Sequence, residues 1–218
     1  MDAPVKRAYD TRRREAQARQ TQGHIADAAR ELFVERGYVS TSIRDVAERA
    51  GVSVQTIYNA FDGKAAIFGR VMDIVVAGDD EPVAVPDRPQ YQAMFETCDP
   101  SEVLAIGVSL SVELFRRMQP LIPAIRAAVA TDANVAEAWK ANHGENRYRG
   151  MAPAMAHLAE LGALRTGLDA TRATDIIWAV LGLDNYEALV VERRWTPDEY
   201  AVWARDALGA TLLGPPSG

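Results

Sequence analysis

Apolar residues recur at helical spacing along almost the whole chain, and this pattern constrains the fold more than any other feature of the sequence. In the clearest stretch, from Ile25 to Phe33, they occupy positions i, i+3, i+4, i+7 and i+8, which is the stripe of a helix buried on one side. No stretch alternates apolar and polar residues as a half-buried strand does, and nothing repeats at a period of about 20 to 50 residues. The sequence therefore predicts an all-α fold without tandem repeats.

Two short predicted helices near the N-terminus are separated only by Ala50-Gly51-Val52-Ser53. Helices joined by such a tight turn form a helix-turn-helix, in which the first crosses the DNA backbone and the second enters the major groove. Gly51 allows the positive φ that such a turn often needs, and Ser53 is placed to cap the second helix of the pair. A fourth helix is predicted from Lys64 to about Val76. We therefore predict an N-terminal three-helix domain that binds double-stranded DNA.

The helix that follows Ser53 leaves several polar side chains outside its buried face. Gln55 and Asn59 can each form two hydrogen bonds with an adenine edge, and small methyl-bearing neighbours can contact thymine. Hydroxyl, phenol and basic side chains nearby are suited to phosphates, which fix the register of a protein on DNA. Taken alone, such residues more often form a solvated helix surface, so the prediction depends on their place in the helix-turn-helix. The predicted DNA-binding residues are Thr41, Ser42, Arg44, Ser53, Val54, Gln55, Thr56, Tyr58, Asn59 and Lys64.

The charge is unevenly distributed, although the net charge of −6 does not itself suggest a nucleic-acid binder. Residues 1–64 carry 11 basic and 9 acidic side chains, whereas the remainder carries 13 and 21. Within the first twenty residues, six basic side chains accompany three acidic ones. We expect residues 1–20 to form a basic arm before the first helix. Such an arm either enters the minor groove of DNA or is a disordered, solubilising tail.

Residues 25–64 resemble the N-terminal domain of the TetR family of transcriptional regulators. The resemblance is carried by Ile25, Ala28-Ala29, Leu32-Phe33, Gly37-Tyr38, Thr41-Ser42-Ile43, Asp45-Val46-Ala47, Ala50-Gly51-Val52-Ser53, Thr56-Ile57-Tyr58, Phe61 and Lys64. It implies a small DNA-binding domain joined to an all-α regulatory domain of variable sequence, and a chain of 218 residues fits that size. Residues 167–213 are similar to family members too. Ala60 departs from the pattern, because the family commonly has His or Tyr there, so one phosphate or packing contact is missing.

The residues after the fourth helix predict a second, helical region. Residues 78–89 contain three consecutive acidic residues and three prolines, so no helix runs through them. Helix starts are predicted at Asp99-Pro100-Ser101-Glu102 and at Thr196-Pro197-Asp198-Glu199. A long helix after Asp132 carries two glycines and a proline that either kink it or split it. The predicted domains are a basic N-terminal arm (1–20), a helix-turn-helix DNA-binding domain (21–64), a connecting helix (65–77) and a ligand-binding and dimerisation domain (78–218).

The acidic, helix-rich C-terminal region, about 140 residues long, exceeds what a purely architectural DNA-binding protein needs. We therefore expect a small-molecule pocket between its helices, lined by residues that are also ordinary core types. The predicted ligand-binding residues are Phe115, Met118, Trp139, His143, Tyr148, Met151, Met155, Trp178 and Tyr186.

One short recognition helix reads too few bases to select a site, so we also expect a homodimer in which the last two helices of each subunit form a four-helix bundle. The alternative is that the apolar stripe of these helices packs only within its own subunit. The predicted interface residues are Ile177, Val180, Leu181, Asp184, Tyr200, Trp203, Ala207 and Leu208.

An enzyme is the main competing class of function. The sequence contains no G-x-S-x-G elbow, no Gly-rich phosphate loop and no H-E-x-x-H motif, and its three histidines lack metal-ligand spacing. We therefore predict no catalytic residue, no metal site and no cofactor. No apolar run is long enough to cross a membrane, and the single Cys98 cannot form an internal disulfide, so we expect a cytoplasmic protein.

The predicted function is a sequence-specific transcriptional regulator with three partners: a double-stranded DNA operator, a small-molecule effector and a second copy of the chain. We expect a repressor that leaves its operator when the small molecule binds. The alternatives are a ligand-independent DNA-binding protein and a ligand-dependent activator.

Overall fold

The structure is a computed structural model that describes residues 4–214, with side chains from residue 17 onward. Within that range the regular structure is helical, and an isolated β-bridge between Leu164 and Leu213 does not extend into a strand. The all-α prediction is confirmed. Each of the described helices is too short or too polar to cross a membrane. The α-helices are α1 (Pro4–Arg36), α2 (Ile43–Arg49), α3 (Val54–Ala60), α4 (Lys64–Ala77), α5 (Pro89–Glu96), α6 (Pro100–Met118), α7 (Ile122–Thr131), α8 (Ala133–Trp139), α9 (Arg147–Glu160), α10 (Ala170–Val180), α11 (Leu183–Tyr186) and α12 (Pro197–Leu212).

The chain divides into two compact units. The first unit comprises Met1–Asp80 and Pro120–Ala138, and the second comprises Glu81–Gln119 and Trp139–Gly218. The segment 120–138 thus groups with the N-terminal helices, although it follows α6 in the sequence. A grouping of this kind depends on tertiary contacts, which the local periodicity of a sequence does not reveal.

In the first unit, α1 packs against α2, α3 and α4. The predicted apolar stripe of α1 forms the core, where Ile25 is fully buried. Phe33 at the end of this stripe contacts Tyr38 and Phe68, and the three ring centroids lie 5.2 to 5.6 Å from one another. Tilted and edge-on ring contacts of this kind add to the burial energy of aromatic side chains. The cluster therefore fixes α4 against the C-terminal end of α1.

The first helix begins much earlier than the sequence suggested. The backbone of the predicted arm, residues 1–20, is helical from Pro4, and α1 runs without a break to Arg36. Proline is tolerated in the first turn of a helix, and the following residues are rich in alanine, arginine and glutamine, which favour helix. No helix-breaking residue occurs between Pro4 and Gly23. This corrects the prediction that the basic segment precedes the first helix.

In the second unit, α6 packs against α5, α9 and α12, and α10 packs against α9 and α12. Both predicted helix starts are confirmed. The side chain of Asp99 accepts a hydrogen bond from the Ser101 N–H at the start of α6, and Thr196 forms a capping box with Glu199 at the start of α12.

Two π-helical segments interrupt the regular α-helices of the second unit. Lys140–Asn146 leads from α8 into α9, and Glu187–Glu192 follows α11. The first segment contains one of the two glycines that were expected to kink or split this helix, so the chain widens its turn there instead of ending the helix. The last residue of α8, Trp139, stacks on His143 of this segment with ring centroids 4.4 Å apart. Burial, and secondarily the charge of Arg147, lower the pKa of His143 to about 4, while Asp184 opposes this shift.

Candidate nucleic-acid interface

The helices α2 and α3 form the predicted helix-turn-helix within the first unit. Gly51 has a φ of +65°, in the left-handed region that favours glycine. Its N–H donates to the Glu48 carbonyl at 3.2 Å, and the Val52 N–H donates to the Ala47 carbonyl at 3.0 Å. These two bonds are the Schellman pattern that terminates a helix with a left-handed residue. The turn therefore closes as the sequence Ala50-Gly51-Val52-Ser53 predicts.

Both helices of the motif begin at a predicted cap. The Ser42 hydroxyl accepts a hydrogen bond from the Asp45 N–H at 3.1 Å, and the Asp45 carboxylate accepts one from the Ser42 N–H at 2.8 Å. This capping box lowers the pKa of Asp45. At the start of α3, the Ser53 hydroxyl accepts a hydrogen bond from the Thr56 N–H at 3.0 Å. Ser42 and Ser53 are also exposed, so neither cap removes its residue from the candidate DNA surface.

Two side chains of α1 hold the C-terminal ends of the motif. The Gln22 amide donates to the carbonyl of Ala60, the last residue of α3, at 3.0 Å. A ring nitrogen of His24 lies 3.0 Å from the carbonyl of Ala50, which caps α2. The last carbonyls of a helix have no partner within it, so these contacts fix where α2 and α3 end. Neither residue could be predicted from the sequence, because no local signal marks a side chain that caps a distant helix.

The outward face of α3 exposes the side chains that were predicted to read bases. Ile57 is fully buried, whereas Val54 is 40% exposed and Tyr58 is 56% exposed. Gln55 and Asn59 are exposed too, and the Gln55 amide nitrogen donates to the Asn59 side-chain oxygen at 3.0 Å. This bond leaves an acceptor on Gln55 and a donor on Asn59 available for base edges. Of the other residues predicted on this helix, Thr56 is half-buried, and its hydroxyl lies beside that of Ser53.

Thr41 does not take the position predicted for it. Its side chain is buried, with 1% of the residue exposed, and its hydroxyl donates to the Gly37 carbonyl at 2.8 Å. A buried hydroxyl needs an internal partner, and Gly37 supplies it. This corrects the prediction that Thr41 contacts phosphate through its side chain. The role of Thr41 is to close the turn between α1 and α2.

Lys64 is half-buried and is engaged with the protein. Its ammonium group donates to the carbonyls of Tyr38 at 3.0 Å and Thr41 at 3.1 Å, and it lies 4.2 Å from the centroid of the Tyr38 ring. Burial lowers the pKa of Lys64, although the charge of Asp132 opposes this shift. Lys64 therefore fastens the turn between α1 and α2 to the start of α4. Any contribution of Lys64 to DNA binding depends in part on this internal role.

The basic residues of α2 have different environments. Arg44 is exposed, and its charge helps to lower the pKa of Asp45. Arg49 instead forms ion pairs with Glu31 at 2.9 Å and Glu35 at 2.8 Å on α1. Arg44 is therefore the arginine of α2 without an ion pair to α1 among the described contacts, and its predicted phosphate contact stays a prediction, whereas Arg49 links α2 to α1.

The predicted ligand-binding residues all lie in the second unit, where the most buried of them form core. Phe115 and Tyr186 are fully buried, with ring centroids 5.2 Å apart, and the Tyr148 hydroxyl donates to Asp175 at 3.0 Å. Two cavities of about 290 and 490 Å³ occur in this unit, and neither is lined by a predicted ligand-binding residue. The placement of the remaining predicted residues is as follows: Met118 and Met155 are buried, Trp139, His143 and Met151 are half-buried, and Trp178 is 38% exposed.

Half of the predicted dimer-interface residues are buried within their own unit. Tyr200 and Leu208 are fully buried on the inner face of α12, and Ile177 and Leu181 are buried as well. This corrects the prediction for these four residues, because the stripe they form is the one that packs α12 against α6 and α10. The other predicted interface residues keep some exposed surface: Val180, Asp184, Trp203 and Ala207.

Comparison with known proteins gives a family for the first unit. Residues 25–71 match the family model described as bacterial regulatory proteins, tetR family. The chain is 33% identical over 93 residues to the HTH-type transcriptional regulator AcrR of Shigella flexneri. That match covers 43% of this chain and 40% of AcrR, so the sequence relationship spans less than half of the relative.

Solved structures extend the likeness to nearly the whole chain. SmeT, the repressor of the Stenotrophomonas maltophilia multidrug efflux pump SmeDEF, superposes with a TM-score of 0.63 at 19% identity, over 89% of this chain and 91% of SmeT. A SmeT–triclosan complex gives a TM-score of 0.65 at 20% identity, over 90% of this chain and 93% of SmeT. At this identity the likeness shows a common fold, an N-terminal helix-turn-helix followed by a helical C-terminal region. Residues 25–71 therefore match the DNA-binding domain of the tetR family of bacterial regulatory proteins, and the chain as a whole shares the fold of solved TetR-family regulators.

Proposed function

We propose that this protein is a sequence-specific DNA-binding regulator of transcription that acts in the cytoplasm and not as an enzyme. The observation that carries the proposal is the outward face of α3. There Gln55 and Asn59 lie exposed on a helix whose start is capped by Ser53 and whose end is held by Gln22. A recognition helix needs this combination of exposed amide side chains and a fixed backbone, because base readout depends on the register of the helix in the major groove.

The phosphate contacts would come from exposed residues of α2 and α3 beside the amide pair. Arg44 and Tyr58 are exposed on either helix of the motif, and the exposed Ser42 hydroxyl lies at the start of α2. Contacts of this kind raise affinity for all sequences equally and fix orientation. The amide pair on α3 would then select the bases.

Selection of bound duplexes from a random pool tests this proposal directly. Wild-type protein is expected to enrich one sequence, and Asn59→Ala or Gln55→Ala is expected to change the preferred bases, at about 1–3 kcal/mol of discrimination for a well-formed contact. Asn146→Ala is the matched control, because the Asn146 amide donates to Asn142 at 2.8 Å in an exposed i, i+4 pair like that on α3, but in the second unit. Equal binding of wild type to every duplex would contradict the proposal.

We further propose that the protein is a repressor that a small molecule releases from its operator. The support is the fold shared with SmeT, which is described as a repressor and is known in complex with triclosan. The second unit would hold the effector among the aromatic and methionine side chains predicted from the sequence. A ligand that weakens operator binding 100-fold needs a coupling free energy of about 2.7 kcal/mol, and DNA must then weaken ligand binding by the same factor. A screen for small molecules that release the selected duplex tests this step.

We also propose that the protein is a homodimer formed through the outward faces of α10 and α12. Val202 is 49% exposed on α12, and Trp178 is 38% exposed on α10. Exposed apolar side chains on neighbouring helices suit a four-helix bundle between two copies. The four buried residues of the predicted interface would instead support these helices from within each subunit.

A further inference from the structure

Tyr38 makes a partly buried hydrogen bond to a residue far away in the sequence. Only 2% of Tyr38 is exposed, and its hydroxyl donates to Oδ2 of Asp132 at 2.6 Å. Both residues belong to the first unit. A hydrogen bond to a charged carboxylate is among the stronger ones in proteins, and its loss leaves a buried donor without a partner.

The same carboxylate also caps a helix. Oδ1 of Asp132 accepts hydrogen bonds from the backbone N–H of Asn134 at 3.1 Å and of Val135 at 3.4 Å, which open α8. One oxygen therefore fixes the start of α8 while the other holds Tyr38. The Tyr38 bond is also the main cause that lowers the pKa of Asp132, so the carboxylate stays ionised in both roles.

Tyr38 also contacts Lys64, which lies shortly after the helix-turn-helix. Lys64 donates to the Tyr38 carbonyl and lies over its ring, and Lys64 opens the helix after α3. A short path of direct contacts thus runs from the start of α4 through Tyr38 to the first turn of α8. The chain passes between the two units at 80–81, at 119–120 and at 138–139, and the last of these crossings lies between the final two residues of α8. The two units are therefore joined by more than one covalent connection.

We propose that Asp132 is a positioning residue that couples the first turn of α8 to the helix-turn-helix through Tyr38, so that DNA binding and the order of α8 stabilise each other. The inference rests on the proposed DNA-binding function and deepens it by identifying a contact through which DNA binding would be regulated. DNA binding fixes the helix-turn-helix and the turn that carries Tyr38, and a fixed Tyr38 hydroxyl holds the carboxylate that caps α8. By linkage, whatever disorders the start of α8 weakens DNA binding by the same factor.

Hydrogen exchange of the full-length chain, with and without the selected duplex, tests this coupling. In wild type, the amides of Asn134 and Val135 are expected to exchange roughly fivefold or more slowly when the duplex is bound, as a coupling of ordinary size requires. In Tyr38→Phe the ring remains but the hydroxyl is lost, and this DNA-dependent slowing is expected to disappear. Asp132→Ser keeps a capping oxygen that is too short to serve both partners, so it is expected to behave like Tyr38→Phe.

Tyr91→Phe is the matched control, because the Tyr91 hydroxyl donates to the Gly150 carbonyl at 2.7 Å within the second unit. It removes a comparable hydrogen bond and is expected to leave the slowing intact. A purely structural role for Tyr38 predicts faster exchange with and without DNA and an unchanged ratio, which would overturn the coupling alone. The coupling alone would also be overturned if wild type binds the duplex but the amides of Asn134 and Val135 do not exchange more slowly. A wild-type chain that binds no duplex would overturn the proposed function and the coupling with it.

Discussion

Lys64 illustrates how a residue can affect DNA binding without facing the DNA. Its ammonium group satisfies two carbonyls of the turn between α1 and α2, and the ring of Tyr38 shields it. The position of Lys64 at the start of α4 was evident from the sequence, because a glycine precedes the helix. Its partners were not, because they are backbone atoms about 23 to 26 residues away.

Replacing Lys64 with methionine is therefore expected to lower the free energy of unfolding. The two carbonyls would lose a charged donor, and hydrogen bonds to charged groups each contribute about 1.5 to 3 kcal/mol. Urea unfolding measures the change, and Lys140→Met is the control, because Lys140 is exposed in the second unit. A Lys64→Met chain that is as stable as wild type would show that the contacts of Lys64 are energetically neutral.

Arg44→Ala is expected to leave the free energy of unfolding unchanged, because Arg44 is exposed. It is expected to reduce the slope of DNA affinity against salt concentration by about one, as the loss of one phosphate contact does.

His143 is expected to make the stability of the second unit depend on pH. Its pKa in the folded chain is about 4, below the ordinary value of 6.5, because burial disfavours the charged ring. As the pH falls, the unfolded chain takes up this proton first, so the stabilising effect of the neutral ring is complete above about pH 6.5 and declines towards pH 4. Urea unfolding of wild type and His143→Gln from about pH 7 to about pH 4.5 measures this. The difference between the two chains should shrink as the pH falls, and parallel curves would refute the shift.

At the scale of secondary-structure elements, the sequence predicted helix starts better than helix extents. Asp99 and Thr196 cap α6 and α12 as expected, because a cap depends on residues within one turn of each other. The early start of α1 at Pro4 was missed, because basic residues in a row resemble a solvated arm as much as a helix surface. The π-helical turns were missed as well, since they depend on packing that no local pattern records.

Two helical glycines offer a matched prediction for α1 and α4. A Cβ atom added at Gly69 would meet no atom within 4 Å, so Gly69→Ala is expected to raise the free energy of unfolding by about 0.5 to 1 kcal/mol through helix propensity. At Gly23 a Cβ atom would lie 2.5 Å from the Asp80 carboxylate, which is paired with Arg70. Gly23→Ala should therefore show no such increase in the free energy of unfolding, because the Asp80 carboxylate must move to make room.

The background Asp80→Ala separates the two effects in a double-mutant cycle. Without the carboxylate, Gly23→Ala is expected to stabilise the chain about as much as Gly69→Ala does. Thermal unfolding of the four chains measures the interaction, and a Gly23→Ala chain that is as stable as Gly69→Ala in the wild-type background would contradict the close approach.

At the scale of the whole molecule, the sequence predicted contiguous domains, whereas the structure groups 120–138 with the N-terminal helices. The exposure of Gln55 and Asn59 on α3 could be predicted from local pattern, because exposure on a short helix follows directly from its buried stripe. Half of the predicted dimer residues are buried within the subunit instead, because Tyr200 and Leu208 mark a buried face without showing which helix covers it. Hydrophobic periodicity identifies a helix face that must be buried, and only the tertiary structure shows which element buries it.

The outward face of α12 is therefore the one to test for dimerisation. Val202→Glu places a charge on a side chain that is 49% exposed in the single chain, and in a dimer that charge would have to be buried against the partner. We expect wild type to scatter light as a dimer at micromolar concentration and Val202→Glu to scatter as a monomer with unchanged thermal unfolding of the subunit. Val34→Glu is the control, because Val34 is equally exposed at 47%, but on α1.

Loss of the dimer has a second consequence that DNA binding measures independently. Two recognition helices on one duplex require half-sites about 34 Å apart or a multiple of that distance, and a monomer engages only one of them. Val202→Glu is therefore expected to bind a duplex with two half-sites about as weakly as one with a single half-site, whereas wild type strongly prefers the former. If Val202→Glu keeps both the dimer mass and this preference, the outward face of α12 is not the interface, and the contact between subunits must lie on another surface.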